Sequence, residues 1–344
     1  MDIYFLLAAV NGIVFVGSLA SNVVQYKLVT KDAGKILNTK NFSIARHNIN
    51  YGQIKKQYNE ANKEFQVYIE EYEKVLNSKP HINKQFYNKN ISETTIYIYN
   101  IIDRIKAHNG AGLTVGYYDL SDKVIKLRKK IIRDKEVFFH ELTHLANACK
   151  KDGIGYCGFS QYDKSTKKSI GDGLNEGFTE LFVRKNFNLQ GKTYNCVYNS
   201  VEALTEIIGM EKMETLFFDC NLGGLVDEIK KYGVYEEEIN RFILNLDYIV
   251  YERNSTLITS KQYKNCQKEV YMFITKLFAK KKTFESENQV IDDEMIKFET
   301  KKFSLQYYNN KKFIKKKMNF VSQKESDKID KYVDEALEEV FKRI

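Results

Sequence analysis

Proline and tryptophan are nearly missing from this chain, which holds one proline, Pro80, and no tryptophan. Proline breaks helices because it lacks a backbone N–H and clashes with the preceding turn, so its scarcity is compatible with long helices. Hydrophobic residues, at 43%, and aromatic residues, at 13%, are plentiful. This apolar content argues against global disorder, and 344 residues can form one large domain or two ordinary ones.

Cysteine is sparse and lacks the spacing of a structural framework. The five cysteines are odd in number, form no CxxC pair and lie at positions 149, 157, 196, 220 and 266. A disulfide framework or a cysteine-based zinc knuckle is therefore a poor interpretation. We expect most of these residues to be buried thiols.

The chain is basic, with a formal charge of +9, but its positive residues are mixed with acids. Residues 261–344 hold 20 lysine or arginine residues against 14 aspartate or glutamate residues, a local excess of 6. The densest run, at residues 311–317, can attract nucleic acid or anionic lipid. No nucleic-acid-binding motif accompanies it, so we expect a solvated helix face and no nucleic-acid partner.

Residues 3–26 contain no charged side chain. A helix of about 20 residues crosses the hydrocarbon core of a bilayer, so a membrane anchor fits this length best. A cleaved signal peptide, with cleavage after residues 18–20, is an alternative, although no lysine or arginine precedes the segment. A buried soluble helix is the third interpretation, because polar residues such as Asn11 and Asn22 dilute the hydrophobicity.

The charges beside this segment bear on its orientation. Lys27, Lys31 and Lys35 follow it, and no basic residue precedes it. Because the cytoplasmic flanks of membrane helices are enriched in lysine and arginine, this bias favours a cytoplasmic location for the rest of the chain. We therefore predict membrane association through residues 3–26, with secretion after signal cleavage as the alternative.

Two regions read as mainly helical. In residues 27–91, the stretch 45–78 has the apolar spacing of one long helix or two, and Pro80 marks its end. Residues 201–344 show helical periodicity and no convincing strand. The helices expected in this second region span 201–218, 235–252, 262–281 and 325–343.

The region between them, residues 92–200, is the predicted core. Its first segment, 92–108, fits either a helix or a strand, and 113–129 fits a β-hairpin. A helix then follows from Asp134, which can cap its N-terminus, to Asp152 and Gly153, where the glycine suits a helix C-terminus.

The sequence His140-Glu141-Leu142-Thr143-His144 lies on that helix. Its two histidines are four residues apart, so both imidazoles leave the same face one turn apart. Two neutral imidazoles at this separation can bind one Zn²⁺ at ~2.0–2.1 Å each. Glu141 is offset by ~100° and can take a proton from a water that the metal activates, without being a ligand itself. The spacing therefore predicts a metal site.

A hydrolytic zinc site needs a third protein ligand and an open fourth position. No histidine follows His144, so a carboxylate must serve. In residues 171–180, GDGLNEGFTE, Glu176 and Glu180 are four apart on a helix that Asp172 is expected to cap. Glu176 can then reach the metal while Glu180 hydrogen-bonds the outer nitrogen of a ligating histidine. Alone, such a pair is typical of a solvated face, but the histidine motif favours the metal site.

HELTH at 140–144, followed by NEGFTE at 175–180, resembles the gluzincin metallopeptidases. In that family an HExxH helix is completed by the glutamate of a later NExxxD/E motif, and the resemblance covers roughly residues 92–186. It implies an α+β fold, with a zincin-like core of a small sheet and an active-site helix between mostly helical regions, and an edge strand that binds the substrate backbone. The roles that it implies are zinc ligands at His140, His144 and Glu176, one ion per chain, a general base at Glu141, and an outer partner of a ligand at Glu180.

The chain departs from the thermolysin-like pattern in three ways. Thirty-one residues separate His144 from Glu176, so we expect a loop or hairpin over the cleft at residues 153–170. Glu180 stands where those enzymes have aspartate, and the downstream histidine that stabilises the oxyanion has no counterpart. A tyrosine or arginine can supply that hydrogen bond. The candidates are Tyr156, Tyr162, Tyr194, Tyr198 and Arg184.

We predict a zinc metallopeptidase that hydrolyses a peptide or protein substrate, with Glu141 as its general base. A non-hydrolytic zinc-binding regulatory or interaction protein is the alternative, although a structural metal site needs no base. A membrane-tethered helical scaffold, in which HELTH is incidental, is a third interpretation.

Overall fold

The structure is a computed structural model. It describes residues 65–99, 116–120, 123–128, 134–163, 165–166, 168–190, 194–254, 260–286, 292–313 and 323–341. Residues 3–26 lie outside these ranges, so the membrane-anchor assignment and its alternatives stay predictions. Within the described ranges, no helix combines the length and the apolar character that a bilayer crossing requires.

Helices dominate the described residues, which form eleven helices and seven strands. The helices are α1 (65–77), α2 (Gln85–Glu93), α3 (Lys135–Ala146), α4 (Asp172–Phe187), α5 (Asn195–Ile208), α6 (Met210–Phe218), α7 (Leu222–Lys230), α8 (Glu236–Asn254), α9 (Ser260–Ser286), α10 (Asp293–Phe313) and α11 (Gln323–Phe341). The strands are β1 (Thr95–Tyr99), β2 (Gly116–Asp119), β3 (Val124–Arg128), β4 (Ala148–Lys151), β5 (Ile154–Cys157), β6 (Ser160–Asp163) and β7 (Lys168–Ile170). The mixture is an α+β fold, as predicted.

The strands form two small sheets. In the first, β3 lies between β1, to which it runs parallel, and β2, to which it runs antiparallel. The β2–β3 pair, with Gly116 opposite Leu127, confirms the hairpin predicted at 113–129. In the segment 92–108, residues 92 and 93 end α2 and residues 95–99 form the strand β1, whereas residues 100–108 lie outside the described ranges. The second sheet is an antiparallel meander, β4-β5-β6-β7.

The predicted end of the metal-binding helix is wrong. Asp134 does cap α3, since its carboxylate accepts a hydrogen bond from the Val137 N–H, but the helix ends at Ala146. The next residues form β4, which pairs with β5 across a two-residue turn. Asp152 and Gly153 occupy that turn with φ values of 51° and 81°. An Asp-Gly pair with two positive φ angles is typical of a tight hairpin turn, and this explains why Gly153 does not end the helix.

The helical region after residue 200 is confirmed in outline and differs in detail. The helix predicted at 201–218 is two helices, α5 and α6, because Gly209 between them has a φ of 101°. The other three predicted helices correspond to α8, α9 and α11, while α7 and α10 were not predicted separately. No strand follows residue 170 within the described ranges.

The described cysteines are free thiols, so no disulfide framework forms among them. The expectation that most are buried is wrong. Cys220 is buried, but Cys149, Cys157 and Cys266 are partly exposed.

Aromatic side chains hold α3 in the core. Phe139 of α3 stacks on Phe187 of α4 with ring centroids 4.0 Å apart, and Tyr72 of α1 stacks on the same ring at 5.7 Å. The Tyr72 hydroxyl donates to Thr143 at 3.1 Å, where both groups are buried. Buried aromatic pairs of this kind add about 0.5–1.5 kcal/mol beyond the area that they remove from water. The helix that carries HELTH is therefore held by α1 as well as α4.

The N-terminus of α4 lies against α8. Gly171 is its N-cap residue, with a φ of 87°, so the prediction that Asp172 caps this helix is wrong. Asp172 is the first helical residue, and its carboxylate accepts hydrogen bonds from the hydroxyls of Ser160 and Ser169. Asp247 of α8 instead accepts the N–H of Gly173, which a capping side chain would bind, and the N–H of Gly171 itself.

Gly173 marks the closest approach of these two helices, because a Cβ there would overlap the backbone of Leu246. We expect Gly173→Ala to lower the free energy of unfolding by about 1–3 kcal/mol, the usual cost of overpacking. Urea unfolding followed by circular dichroism measures this change.

Gly223→Ala is the matched control. Gly223 lies in α7, and the nearest atom to an added Cβ is the Asn221 side-chain oxygen at 3.8 Å. Because alanine is favoured over glycine in helices by up to about 1 kcal/mol, this variant should be neutral or slightly more stable. Equal stability of the two variants would contradict the close contact between α4 and α8.

Candidate metal centre

The two histidines of α3 meet at their Nε2 atoms. His140 and His144 leave the same face of the helix, and their Nε2 atoms are 3.0 Å apart. The imidazole planes cross at 79°, with centroids 4.7 Å apart. Both side chains are buried, with 6% and 8% of their surfaces exposed. The i, i+4 spacing therefore brings two nitrogen donors to one point in a largely dry environment.

Glu176 of α4 reaches the same point from the other helix. Its Oε2 atom is 3.0 Å from the His140 Nε2 atom, and its Oε1 atom is 3.5 Å from the His144 Nε2 atom. Ligand atoms of the three residues all lie within 4.8 Å of one another. The predicted third ligand is thus beside the first two, although 31 residues separate Glu176 from His144.

The spacing of these donors fits a small divalent cation. Two atoms bound to zinc at ~2.0–2.1 Å with a tetrahedral angle lie about 3.3 Å apart. The separations of 3.0 Å and 3.5 Å in this cluster lie on either side of that value. Two imidazole nitrogens and one carboxylate are also the donor set of several catalytic zinc sites. The residues present therefore fit a zinc ion.

The two histidines of the cluster favour the ionised form of the Glu176 carboxylate. Burial alone would raise the pKa of Glu176, but the charge on His144 and hydrogen bonds from both histidines hold it below its ordinary value. Burial would lower the pKa of His140, whereas hydrogen bonds to Glu176 and Glu180 raise it to about 9. The cluster therefore pairs a negative carboxylate with positive charge on the histidines.

The outer nitrogen of His140 is held by a second carboxylate. The His140 Nδ1 atom is 3.2 Å from Glu180 Oε2, and the side chain of Glu180 is fully buried. Arg184 donates to the other oxygen of Glu180 at 2.8 Å and to Asn195 at 2.7 Å. The structure places Glu180 where an outer partner of a ligand would lie, and Arg184 extends that chain of contacts by one residue.

The outer nitrogen of His144 has a partner that the sequence analysis missed. The Asn175 side-chain amide nitrogen and the Cys157 thiol are each 3.4 Å from His144 Nδ1, and the Asn175 amide oxygen is buried without a hydrogen bond. A histidine that binds metal through Nε2 carries a proton on Nδ1 and needs an acceptor there. Amide nitrogen and oxygen are exchanged by a simple flip. We therefore assign the Asn175 oxygen as that acceptor.

Glu141 lies on the sheet side of the histidines. Its side chain is 4% exposed, and the backbone N–H of Tyr118 in β2 donates a hydrogen bond to its carboxylate. A Cβ added to Gly116, also in β2, would lie 3.3 Å from the Glu141 Oε1 atom. Burial raises the pKa of Glu141, against the opposing charges of His140 and His144. The group is therefore a buried carboxylate beside the ligands with an increased affinity for protons.

The oxyanion candidates occupy different places. Tyr194 stacks on the His140 ring, with centroids 5.3 Å apart and planes within 10°. Arg184 lies 4.0 Å above the Tyr198 ring, and the Tyr198 hydroxyl donates to Glu202. Tyr156 lies on β5, and Tyr162 lies on β6 and is 44% exposed. Of the five candidates, Tyr194 is thus the one placed against a histidine of the cluster.

The segment 153–170, expected to be a loop or hairpin, is part of a sheet. It contributes three strands of the meander, and Cys157 at the end of β5 contacts both His144 and Asn147. Each strand is too short for its alternation of polar and apolar residues to predict this pairing from the sequence. The segment therefore packs directly behind His144.

No protein-family model matches this chain, and neither a curated protein nor a solved structure matches it. The resemblance to gluzincins therefore rests on the residues of the two motifs. Their arrangement in space is a cluster of two histidines and one glutamate that could hold a metal ion.

Removal of the third ligand provides a direct test of the cluster. We expect the chain to bind one zinc ion and Glu176→Ala to weaken zinc binding by more than 100-fold, since loss of an outer partner alone costs about 10–100-fold. Competition with a chromogenic zinc chelator measures both affinities. The control is Glu206→Ala, which removes an exposed acid of α5 and should leave the affinity unchanged. Equal affinities for the two variants would exclude Glu176 as a ligand.

Proposed function

We propose that this protein is a zinc-dependent metallopeptidase with a zincin-like core, in which His140, His144 and Glu176 hold the metal and Glu141 is the general base. The observation that carries this proposal is the arrangement of Glu141. It is a buried acid beside the two histidines and is not one of the three residues whose ligand atoms converge. A purely structural metal site has no use for such a group.

His140, His144 and Glu176 would hold the zinc ion, which would supply polarisation of the scissile carbonyl and a lowered pKa of water toward ~7. The protein must hold the three ligands in place and keep the Nε2 atoms of the two histidines deprotonated. Glu180 and Asn175 serve this task, since each faces the Nδ1 atom of one histidine and favours a proton there. The ligands are thereby oriented before substrate binds.

Glu141 has the environment of a proton carrier. Its carboxylate accepts the proton of the attacking water and later gives it to the nitrogen of the leaving amine. Burial raises its pKa and thereby increases its affinity for the proton of the attacking water. The hydrogen bond from the Tyr118 backbone directs the carboxylate toward the sheet side of the cluster.

β2 supplies a surface for an extended substrate. It is the outer strand of the order β1-β3-β2, so among the described strands it is paired on one side only. An extended peptide can add to such an edge through main-chain hydrogen bonds, and side-chain pockets then set the preference. Because Tyr118 of the same strand contacts Glu141, a peptide bound there would lie beside the base. This placement supports a peptide or protein substrate.

We expect Glu141→Gln to retain zinc and to lose peptide cleavage by about 10²–10⁴-fold, the usual contribution of a general acid or base. Glutamine keeps the size of the side chain but cannot accept the proton. Mass spectrometry of a digested peptide library, together with metal analysis of the same samples, measures both quantities.

The control for this experiment is Glu136→Gln, the same chemical change five residues earlier on α3. It should keep both zinc and cleavage. Zinc in the wild type and in both variants, with cleavage by none of them, would contradict the peptidase proposal. That result would support the non-hydrolytic zinc-binding alternative.

A further inference from the structure

The helix that carries Glu176 has no cap of its own. Gly171, its N-cap residue, has no side chain and adopts a left-handed φ of 87°. The first four N–H groups of any helix lack partners within it, and leaving them unpaired in a buried place is costly. The adjacent Asp172 bonds to the hydroxyls of Ser160 and Ser169. The amides at the start of α4 therefore need an acceptor from elsewhere.

Asp247 of α8 provides that acceptor. One oxygen accepts the N–H of Gly171 at 2.8 Å, and the other accepts the N–H of Gly173 at 2.7 Å. The residue is 5% exposed, so these bonds lie in the interior. A carboxylate that spans two amides in this way restricts both the rotation and the sliding of the helix end.

Two glycines allow close approach of other backbone to the start of α4, and Gly173 is the one that faces α8. A Cβ at Gly171 would overlap the carbonyl oxygen of Phe159, and a Cβ at Gly173 would overlap the backbone of Leu246. The backbone of α4 therefore rests directly on α8, without side chains between them. Such a contact is stiff because no flexible group separates the two helices.

We propose that Asp247 is the positioning residue of the candidate metal centre, which sets Glu176 at the correct rotation relative to His140 and His144. Glu176 lies three residues after Gly173, less than one turn from the tethered amide. The inference rests on the metal cluster of the proposed function and not on peptide hydrolysis.

The charge of Asp247 suits this place. Burial raises its pKa to about 6, while the hydrogen bonds from Gly173 and Gly171 act in the opposite direction. Above that pH the carboxylate is ionised, so both oxygens accept hydrogen bonds. A negative charge at a helix N-terminus is also favoured by the helix dipole. Measurements at pH 7.5 therefore examine the fully bonded form.

The test measures zinc affinity in the full chain at pH 7.5 and low temperature, by competition with a chelator. We expect Asp247→Ala to weaken zinc binding by about 10–100-fold, the range for residues that orient a ligand. Asp247→Asn keeps one acceptor oxygen and should recover part of this loss.

Asn221→Ala is the matched control, since it also removes the cap of a helix. Asn221 accepts the N–H of Gly224 at 2.7 Å at the start of α7, a helix that carries no residue of the metal cluster. Zinc affinity should stay within twofold of the wild type in this variant. A loss equal to that of Asp247→Ala would mean that any lost cap loosens the site, and would overturn the proposal.

A double-mutant cycle with Glu176→Ala separates positioning from general loosening. If Asp247 acts through Glu176, Asp247→Ala should cause no further loss of zinc affinity once Glu176 is absent. An equal further loss in that background would overturn the proposal, as would wild-type affinity in Asp247→Ala itself. If Asp247→Ala does not fold, Asp247→Asn takes its place in the cycle.

The outcomes also distinguish this inference from the proposed function. Zinc binding by the wild type without peptide cleavage would overturn the peptidase proposal, and the cycle would still decide the role of Asp247. Absence of zinc binding by the wild type would overturn both.

Discussion

The contact between α3 and α4 is the constraint on which the candidate metal centre depends, because each helix carries donors that the other lacks. The contact buries two histidines and two glutamates, and an unpaired buried charge costs several kcal/mol. Hydrogen bonds offset this cost along a continuous path from Arg184 through Glu180 to His140 and on to Glu176. These hydrogen bonds pair the charged groups at the contact and so allow the two helices to pack closely.

The rest of the structure supports that contact from outside. Phe139 and Phe187 join the two helices on their apolar side, and Tyr72 of α1 closes over the same ring while its hydroxyl bonds to Thr143. On the far side, Asp247 ties the first turn of α4 to α8. The sheet side is occupied by β2, which contacts Glu141. The polar cluster is thus enclosed by elements from distant parts of the chain.

Much of the local structure could be predicted from residue patterns. Residues four apart, such as His140 and His144, lie on the same face of any helix. Asp134 was also predicted correctly as the cap of that helix, because its carboxylate can accept a backbone N–H of the first turn. The predictions failed where a short sequence pattern is compatible with two different local structures. Asp152 and Gly153 suit a helix end and a hairpin turn equally well, and the pairing of β4 with β5 decided between them. At Gly209 a left-handed backbone interrupts a continuous apolar pattern.

Residue type and spacing alone established which groups could bind a metal, because the geometry of one helical turn is independent of the rest of the fold. The tertiary structure decided which groups contact these side chains and fix their positions. Asn175 faces His144 across 31 positions of sequence, and Asp247 reaches Gly173 across 74. The sequence contains no repeating pattern that relates such distant residues. Their contacts depend on how whole helices pack and on where glycines allow two backbones to approach closely.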